Sequence, residues 1–242
     1  MNYRVLKQTL SVLRYYPIHP QWFAYRRSET NCREIGQQST GTVLDIGCMD
    51  QYMQTYLAPE QKYIGLDYYQ TALNWYTTRP HVYGDAQALP IASACIDTVL
   101  LLDVLEHLPN PEACVGEIAR VLKPGGRLIL QVPFLYPLHD TPLDFQRWTK
   151  YGLSRLVEQH GFQIRELLSS GHPAETAGLL FNIALSKIVL NWLRHKNPAL
   201  LLGVCILPLI LLINGFCALL SLLGPSDEIM PHSYRMILEK TP

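Results

Sequence analysis

The chain has no excess of either charge: twenty Lys and Arg stand against twenty Asp and Glu among 242 residues. Without net positive charge it offers the phosphates of a nucleic acid no field to settle on, so nucleic acid is not an expected partner. It has no C-x-x-C pair, and its six cysteines, at 32, 48, 95, 114, 205 and 217, are widely spaced. Nor does the N-terminus carry a signal-peptide pattern, so reduced thiols and a cytosolic setting are expected. There is no internal repeat. The length is short for two independent domains and suits one core with an elaboration. Charge is missing altogether from 197 to 226, and 199–223 is almost wholly apolar.

What is present is alternation. Short apolar runs at 42–46, 63–66, 82–83, 98–102 and 127–132 read as strands separated by amphipathic stretches. In 111–122, Ala113, Val115, Ile118, Val121 and Leu122 fall near helical spacing, and Lys123, Pro124, Gly125 and Gly126 stop the helix. A helix at 151–160 ended by Gly161, a strand at 162–168 and a last strand at 233–239 complete the pattern. Such alternation predicts a mostly parallel sheet covered by helices on both faces, with ligands beyond the carboxyl ends of its strands. Residues 1–40 hold a mixed helical stretch at 5–16, then Pro17, Pro20 and the aromatic Trp22, Phe23 and Tyr25, and read as a lead-in arm.

In Val43-Leu44-Asp45-Ile46-Gly47-Cys48 an apolar strand delivers an acidic residue and then a glycine, where backbone can approach a ligand closely. Twenty-two positions on, Tyr63-Ile64-Gly65-Leu66 ends in Asp67, placed for a carboxylate that accepts hydrogen bonds from ribose hydroxyls. Gly84-Asp85-Ala86 follows the third strand, and Asp103-Val104-Leu105-Glu106-His107-Leu108 the fourth. With VLDIGC at 43–48, YIGLD at 63–67, GDAQALP at 84–90, DVLEHL at 103–108 and EIARVLKPGG at 117–126, the chain resembles the type 11 methyltransferases from about 19 to 162. These are class I enzymes that depend on S-adenosylmethionine.

The resemblance and the alternation imply an α/β fold, a Rossmann-like, doubly wound, mostly parallel seven-stranded sheet, and the apolar composition adds a helical insertion before the last strand. The expected bounds are 1–40 for the arm, 41–171 with 232–242 for the cofactor-binding domain, and 172–231 for the insertion. The resemblance implies that Asp45 and Gly47 contact the methionine end of the cofactor, Asp67 the ribose, and Asp85 with Ala86 the adenine. Cys48, Tyr68, Leu102 and Asp103 complete the cofactor-binding set. The family continues DIGC with glycine, any residue and glycine, whereas Met49, Asp50 and Gln51 follow here. Side chains then stand where backbone would lie against the ligand. A pyrophosphate needs the bare turn far more than a sulfonium amino acid does, which argues against a nicotinamide enzyme. The alternative to an enzyme is a catalytically inactive methyltransferase-fold protein that binds or scaffolds at a membrane.

Methyl transfer is an in-line displacement, so the main task is to hold the nucleophile close and aligned. The stretch 137–147 follows the fifth strand. In it His139 is the expected general base, Asp140 or Asp144 its orienting partner and Arg147 an anion clamp. The competing reading pairs Asp144 with Arg147 to pin the loop. Asp103, Glu106 and His107 could gather a divalent metal. The favoured reading has Glu106 and His107 capping and packing a helix, with no metal. Cys48 reads as a small buried side chain and not a nucleophile.

As a helix, 199–223 would cover about 37 Å, against a hydrocarbon core of roughly 30 Å. If 233–239 returns to the sheet, one crossing is impossible. A spanning hairpin would carry Arg194, His195 and Lys196 across the bilayer, with Lys187 inside it. The expectation is therefore a re-entrant or interfacial helical pair bent at Pro208, and the alternative a soluble cap over the acceptor site or between subunits. Together these readings predict methyl transfer at oxygen to a small-molecule or lipid-linked acceptor, by a cytoplasmic protein peripheral or monotopic on a membrane.

Overall fold

A computed structural model describes residues 12–225 and 227–241. The helical stretch expected at 5–16 lies largely outside them, and its described end, Val12–Tyr15, is a single 3-10 turn. The strands are β1 (Thr42–Ile46), β2 (Lys62–Asp67), β3 (Val82–Tyr83), β4 (Ile96–Leu102), β5 (Leu122–Pro133), β6 (Phe162–Ser170) and β7 (Ser233–Lys240). The helices are α1 (Trp22–Tyr25), α2 (Ser28–Gln38), α3 (Tyr69–Trp75), α4 (Pro111–Val121), α5 (Lys150–Gln159), α6 (Pro173–Arg194) and α7 (Gly203–Leu223).

The strands form one seven-stranded sheet in the order β3-β2-β1-β4-β5-β7-β6. From β3 to β5 neighbours run parallel, and β7 lies antiparallel on β5 with Leu128 opposite Leu238. Side chains alternate across a strand, and the core divides accordingly. Leu44, Ile46, Val99, Leu101, Leu128 and Leu130 pack with Val115 and Ile118 of α4. Val43, Leu100 and Ile129 pack with Cys32 and Ile35 of α2 and with Met53. Both faces are covered, which is why the central strands read as unbroken apolar runs. The order of the strands reverses between β1 and β4, which opens a crevice at their carboxyl ends.

Local signals set the boundaries. Asn110 caps α4 by accepting from the Ala113 amide at 3.2 Å, and Pro111 occupies the first turn, where its missing N–H costs nothing. The Lys-Pro-Gly-Gly segment ends that helix but does not delay the strand. Ile96 already pairs with Leu122, and Thr98 with Arg127, so the residues between them form an irregularity inside β5. A second difference concerns the arm. Its residues 28–38 form α2, whose Cys32 and Ile35 complete the core on one face of the sheet.

By compactness the chain divides into two units. The larger comprises Thr30–Phe134, Leu138–Ser169 and Ser233–Pro242; the smaller comprises the described part of Met1–Glu29 with Leu135–Pro137 and Ser170–His232. In the smaller unit α6 starts with a capping box: His172 accepts from the Ala174 amide at 3.2 Å, while Glu175 reaches back to the His172 amide. Phe23, Leu179 and Cys217 form its buried apolar cluster, and Arg26 pairs with Glu175. Between the two long helices, Asn182 Nδ2 donates to Asn214 Oδ1 at 2.9 Å, and both residues are fully buried. Asn214 Nδ2 in turn donates to the carbonyls of Pro17 and His19 at 2.6 and 3.1 Å.

Candidate functional site

Asp45 sits near the end of β1, buried, and accepts from the Tyr63 hydroxyl at 2.7 Å. Tyr63 reaches it as the diagonal cross-strand neighbour, because Asp45 is paired with Gly65. Burial pushes the Asp45 carboxyl up to about 7, against the hydrogen bond from Tyr63. Between the ordinary aspartate value near 4 and that raised value, the folded chain holds a proton that the unfolded chain has released, so stability falls as pH rises through the window. Asp45→Asn should flatten this part of the profile. Thermal unfolding of the ligand-free protein at about pH 4.5 and about pH 8 tests it, and an unchanged difference between the two would reject the assignment.

Beyond β1 the chain turns through Gly47, at φ 74°, where a Cβ would meet Val104 Cγ2 at 2.4 Å. The amides of Gly47 and Cys48 both donate to the Leu66 carbonyl, at 2.8 and 3.1 Å, and the Gln51 amide donates to the Cys48 carbonyl at 2.7 Å. Met49 and Gln51 take φ values of 49° and 59°. This left-handed conformation is the one glycine adopts without penalty. The glycine-type path is thus kept without its glycines. The replacements also tie the turn to 77–79: Asp50 accepts from the Thr77 and Thr78 amides at 2.8 and 2.9 Å, and Gln51 Nε2 donates to the Arg79 carbonyl at 2.5 Å. Cys48 is turned into the sheet against Gly65, and burial pushes its thiol up to about 12, so it is no nucleophile.

Asp67 ends β2, buried, with each oxygen engaged: Oδ1 accepts from the Tyr68 amide at 2.7 Å and Thr71 Oγ1 at 2.8 Å, and Oδ2 from the Met49 amide at 3.0 Å. The Tyr68 ring is exposed. Past β3, Asp85 accepts from the Gln87 amide at 2.8 Å beside the buried Ala86. Leu102 closes β4, and the exposed Asp103 follows at φ 53°, its Oδ2 accepting from Gln131 Nε2 at 2.8 Å.

The loop after β5 is laced to the turn Leu105–His107. The Phe145 amide donates to the Glu106 carbonyl at 2.9 Å, Gln146 Nε2 to the Leu108 carbonyl at 2.9 Å, and His107 Nδ1 lies 2.7 Å from the Leu143 carbonyl. This brings His139 Nε2 to 3.6 Å from Glu106 Oε1. The carboxylate beside the other ring nitrogen is that of Asp144, 3.3 Å from Nδ1, and not that of Asp140. Asp144 also accepts from the His139 amide at 2.9 Å and from Arg147 Nη1 and Nη2 at 2.6 and 2.8 Å. The Arg147 guanidinium holds its carboxyl down at about 2. The clamp expected at Arg147 gives way to the loop-pinning pair, because both terminal nitrogens grip Asp144.

Glu106 departs from the capping expectation too. Its side chain points inward from a three-residue turn, fully buried, and neither oxygen accepts a hydrogen bond among the described residues. Sequence reasoning grouped Glu106 and His107 with Asp103 and kept His139 apart. It also missed Tyr63 and Gln131. Strand register could have found Tyr63, whereas only the loop's path brings His139 to Glu106.

Residues 44–130 match the family model described as a methyltransferase domain. Among similar curated proteins, a probable S-adenosylmethionine-dependent methyltransferase of Mycolicibacterium smegmatis is 32% identical over 170 residues, covering 65% of each chain. Another of Mycobacterium tuberculosis is 31% identical over 136 residues, covering 52% of this chain and 49% of its own. The matched region thus spans about half to two thirds of the length of these relatives. In fold it is similar to a SAM-dependent methyltransferase from Archaeoglobus fulgidus, with a TM-score of 0.56 at 15% identity over 99% of this chain and 100% of that one. One from Aquifex aeolicus gives 0.50 at 16% identity over 71% and 94%. With this strand order and the family model matching residues 44–130, those residues carry a methyltransferase domain similar to the class I S-adenosylmethionine-dependent enzymes.

Proposed function

We propose that this chain transfers a methyl group from S-adenosylmethionine to an oxygen atom of a small-molecule or lipid-linked acceptor at a membrane surface. The observation that carries the reading is the gathering of Asp45, Asp67 and Asp103 at the carboxyl ends of β1, β2 and β4, with the His139 loop following β5 at that edge. When bound, the cofactor would supply a sulfonium methyl: the acceptor's lone pair forms the new bond to carbon, the carbon–sulfur pair stays on sulfur as S-adenosylhomocysteine, and the acceptor's proton passes to solvent.

The residues present fit that cofactor. Asp67 Oδ2 carries one hydrogen bond and so keeps a lone pair for a ribose hydroxyl. Asp45, whose burial favours the protonated form, gains from a cationic ammonium at the methionine end, which favours the ionised one. Asp85 and Ala86 would flank the adenine, with Tyr68, Leu102 and Asp103 at the same edge. The amides of 47, 48, 49 and 51 are spent within the protein, so the turn offers no nest for a pyrophosphate, and a sulfonium amino acid does not need one. His139 serves the departure of the acceptor's proton.

Membrane association is supported by the insertion. Pro173–Arg194 and Pro198–Leu223 are each long and apolar enough to cross a membrane. Of α7, only Ile210, Asn214 and Cys217 are buried, while Val204 and Leu222 are 79% and 82% exposed. Arg194, His195 and Lys196 lie where the two helices join, as suits anionic headgroups. Since β6 and β7 belong to one sheet, an odd number of crossings is excluded, and an interfacial pair meets both constraints.

The second reading, a membrane scaffold without turnover, is favoured by the side chains of Met49 and Gln51 in the cofactor turn. Calorimetric titration with S-adenosylmethionine and S-adenosylhomocysteine separates the two. One site per chain is expected for each, and no binding of either would leave only the scaffold. Sedimentation with vesicles containing anionic lipid tests the membrane element. Leu201→Glu with Val204→Glu, both at exposed positions, should leave the protein in the supernatant, and unchanged pelleting would reject an interfacial role.

A further inference from the structure

Glu106 is the least explained side chain of the larger unit. It is fully buried, and both carboxylate oxygens lack a hydrogen-bond partner among the described residues. A group so enclosed calls for a donor or a cation. Two imidazoles face it, with His107 Nε2 3.7 Å and His139 Nε2 3.6 Å from the same oxygen, Oε1. A proton shared with either ring would draw that pair in to about 2.7–2.9 Å. Neither ring is that close.

The far nitrogens are held from behind. His107 Nδ1 lies 2.7 Å from the Leu143 carbonyl, which can only accept, so Nδ1 bears the proton and Nε2 a lone pair. His139 Nδ1 lies 3.3 Å from both Asp144 Oδ2 and Arg147 Nη2, so the Asp144–Arg147 pair holds the ring from behind with Nε2 toward Glu106. A buried carboxylate and two imidazoles therefore converge, with one ligand-type atom from each within 4.8 Å of the others. Ligand atoms about 2.0–2.2 Å from a tetrahedral ion stand about 3.4 Å apart, close to the two separations seen. A backbone carbonyl behind one ring and a carboxylate behind the other are the outer partners that orient imidazoles on metals.

We propose that Glu106, His107 and His139 bind one divalent transition-metal ion through a carboxylate oxygen and two imidazole Nε2 atoms, leaving at least one coordination position open. Asp103, whose carboxylate is engaged by Gln131, stands outside the set. Resting on the methyl-transfer reading above, the open position would take the acceptor's oxygen, and His139 would act on the acceptor's proton by holding the ion. Imidazole with carboxylate suits ions such as zinc or iron better than calcium or magnesium.

The test is titration of the full chain, stripped with a chelator, using Co²⁺ followed by visible absorption and Zn²⁺ followed by calorimetry. One ion per chain is expected. His107→Ala and His139→Ala, whose side chains are 21% and 26% exposed and so tolerate truncation, should each weaken binding at least about 100-fold, the upper loss for removing even an outer partner. Glu106→Gln, which keeps the shape and supplies N–H donors to the rings, should do the same. His160→Ala, outside the cluster, should not. No stoichiometric binding by the native chain, or affinity unchanged in both histidine variants, overturns the proposal. S-adenosylmethionine titrated into the same samples reads the cofactor site separately. Cofactor binding without metal binding sinks only this inference, and metal binding without cofactor binding sinks only methyl transfer.

Discussion

Replacing His139 by alanine should lower the turnover number by about 10²- to 10⁴-fold, the range for losing a group that assists removal of the acceptor's proton. The affinity for S-adenosylmethionine should not change. The argument rests on separation of tasks: the carboxylates assigned to the cofactor lie on β1, β2 and the turns after β3 and β4, whereas His139 belongs to the loop after β5. Loss of the ring should also leave that loop in place. Its fastenings are the Asp144–Arg147 pair, the Phe145 amide on the Glu106 carbonyl and Gln146 on the Leu108 carbonyl, none of which uses the imidazole. Single-turnover rates at saturating cofactor measure the effect. A rate equal to the native one would remove His139 from the chemistry, and a parallel loss of cofactor affinity would make its role structural.

Asp67→Ala should reduce cofactor binding by more than about 100-fold. A hydrogen bond to a charged group contributes roughly 1.5–3 kcal/mol, which for one ribose hydroxyl is already about 10- to 100-fold in Kd. The substitution does more than delete that bond. Asp67 also holds the Met49 amide at 3.0 Å, the Tyr68 amide at 2.7 Å and Thr71 Oγ1 at 2.8 Å. The turn 47–51, held in the left-handed region at two non-glycine residues, loses the anchor that offsets its strain. Asp67→Asn separates the contributions, since the amide can still accept one of these bonds while lacking the charge. Its loss should fall between those of the native chain and the alanine variant. Calorimetric affinities of the three proteins decide the matter, and near-native binding by Asp67→Ala would place the ribose elsewhere.

Much of the sheet was legible in the residues. The strand at 42–46 and the short one at 82–83 have the bounds that their apolar runs suggest, and the others extend by a few residues into polar flanks that pairing recruits. Leu122 joins β5 because Ile96 offers it a partner, which no local glycine signal announces. The helix α2 was hidden because Cys32 and Ile35 alone form a thin apolar stripe among polar residues; the sheet supplies the rest of the packing. At the site, what a strand end dictates was readable: Asp45 and Asp67 close apolar runs. What depends on two distant segments meeting was not. Glu106 and His139 are neighbours only because a loop folds back over a turn, and the commitment of Arg147 to Asp144 required knowing where both side chains point.

The buried asparagine pair of the smaller unit has a mechanical consequence. A polar contact between two apolar helices works like a detent: sliding either helix by one residue would strand Asn182 Nδ2 and Asn214 Oδ1 in a dry interior, where neither finds water to replace its partner. Asn214 extends the lock to the carbonyls of Pro17 and His19. The two long helices and the segment before α1 should therefore travel as one stiff piece, so that whatever lifts or tilts the pair carries residues 17–19 with it.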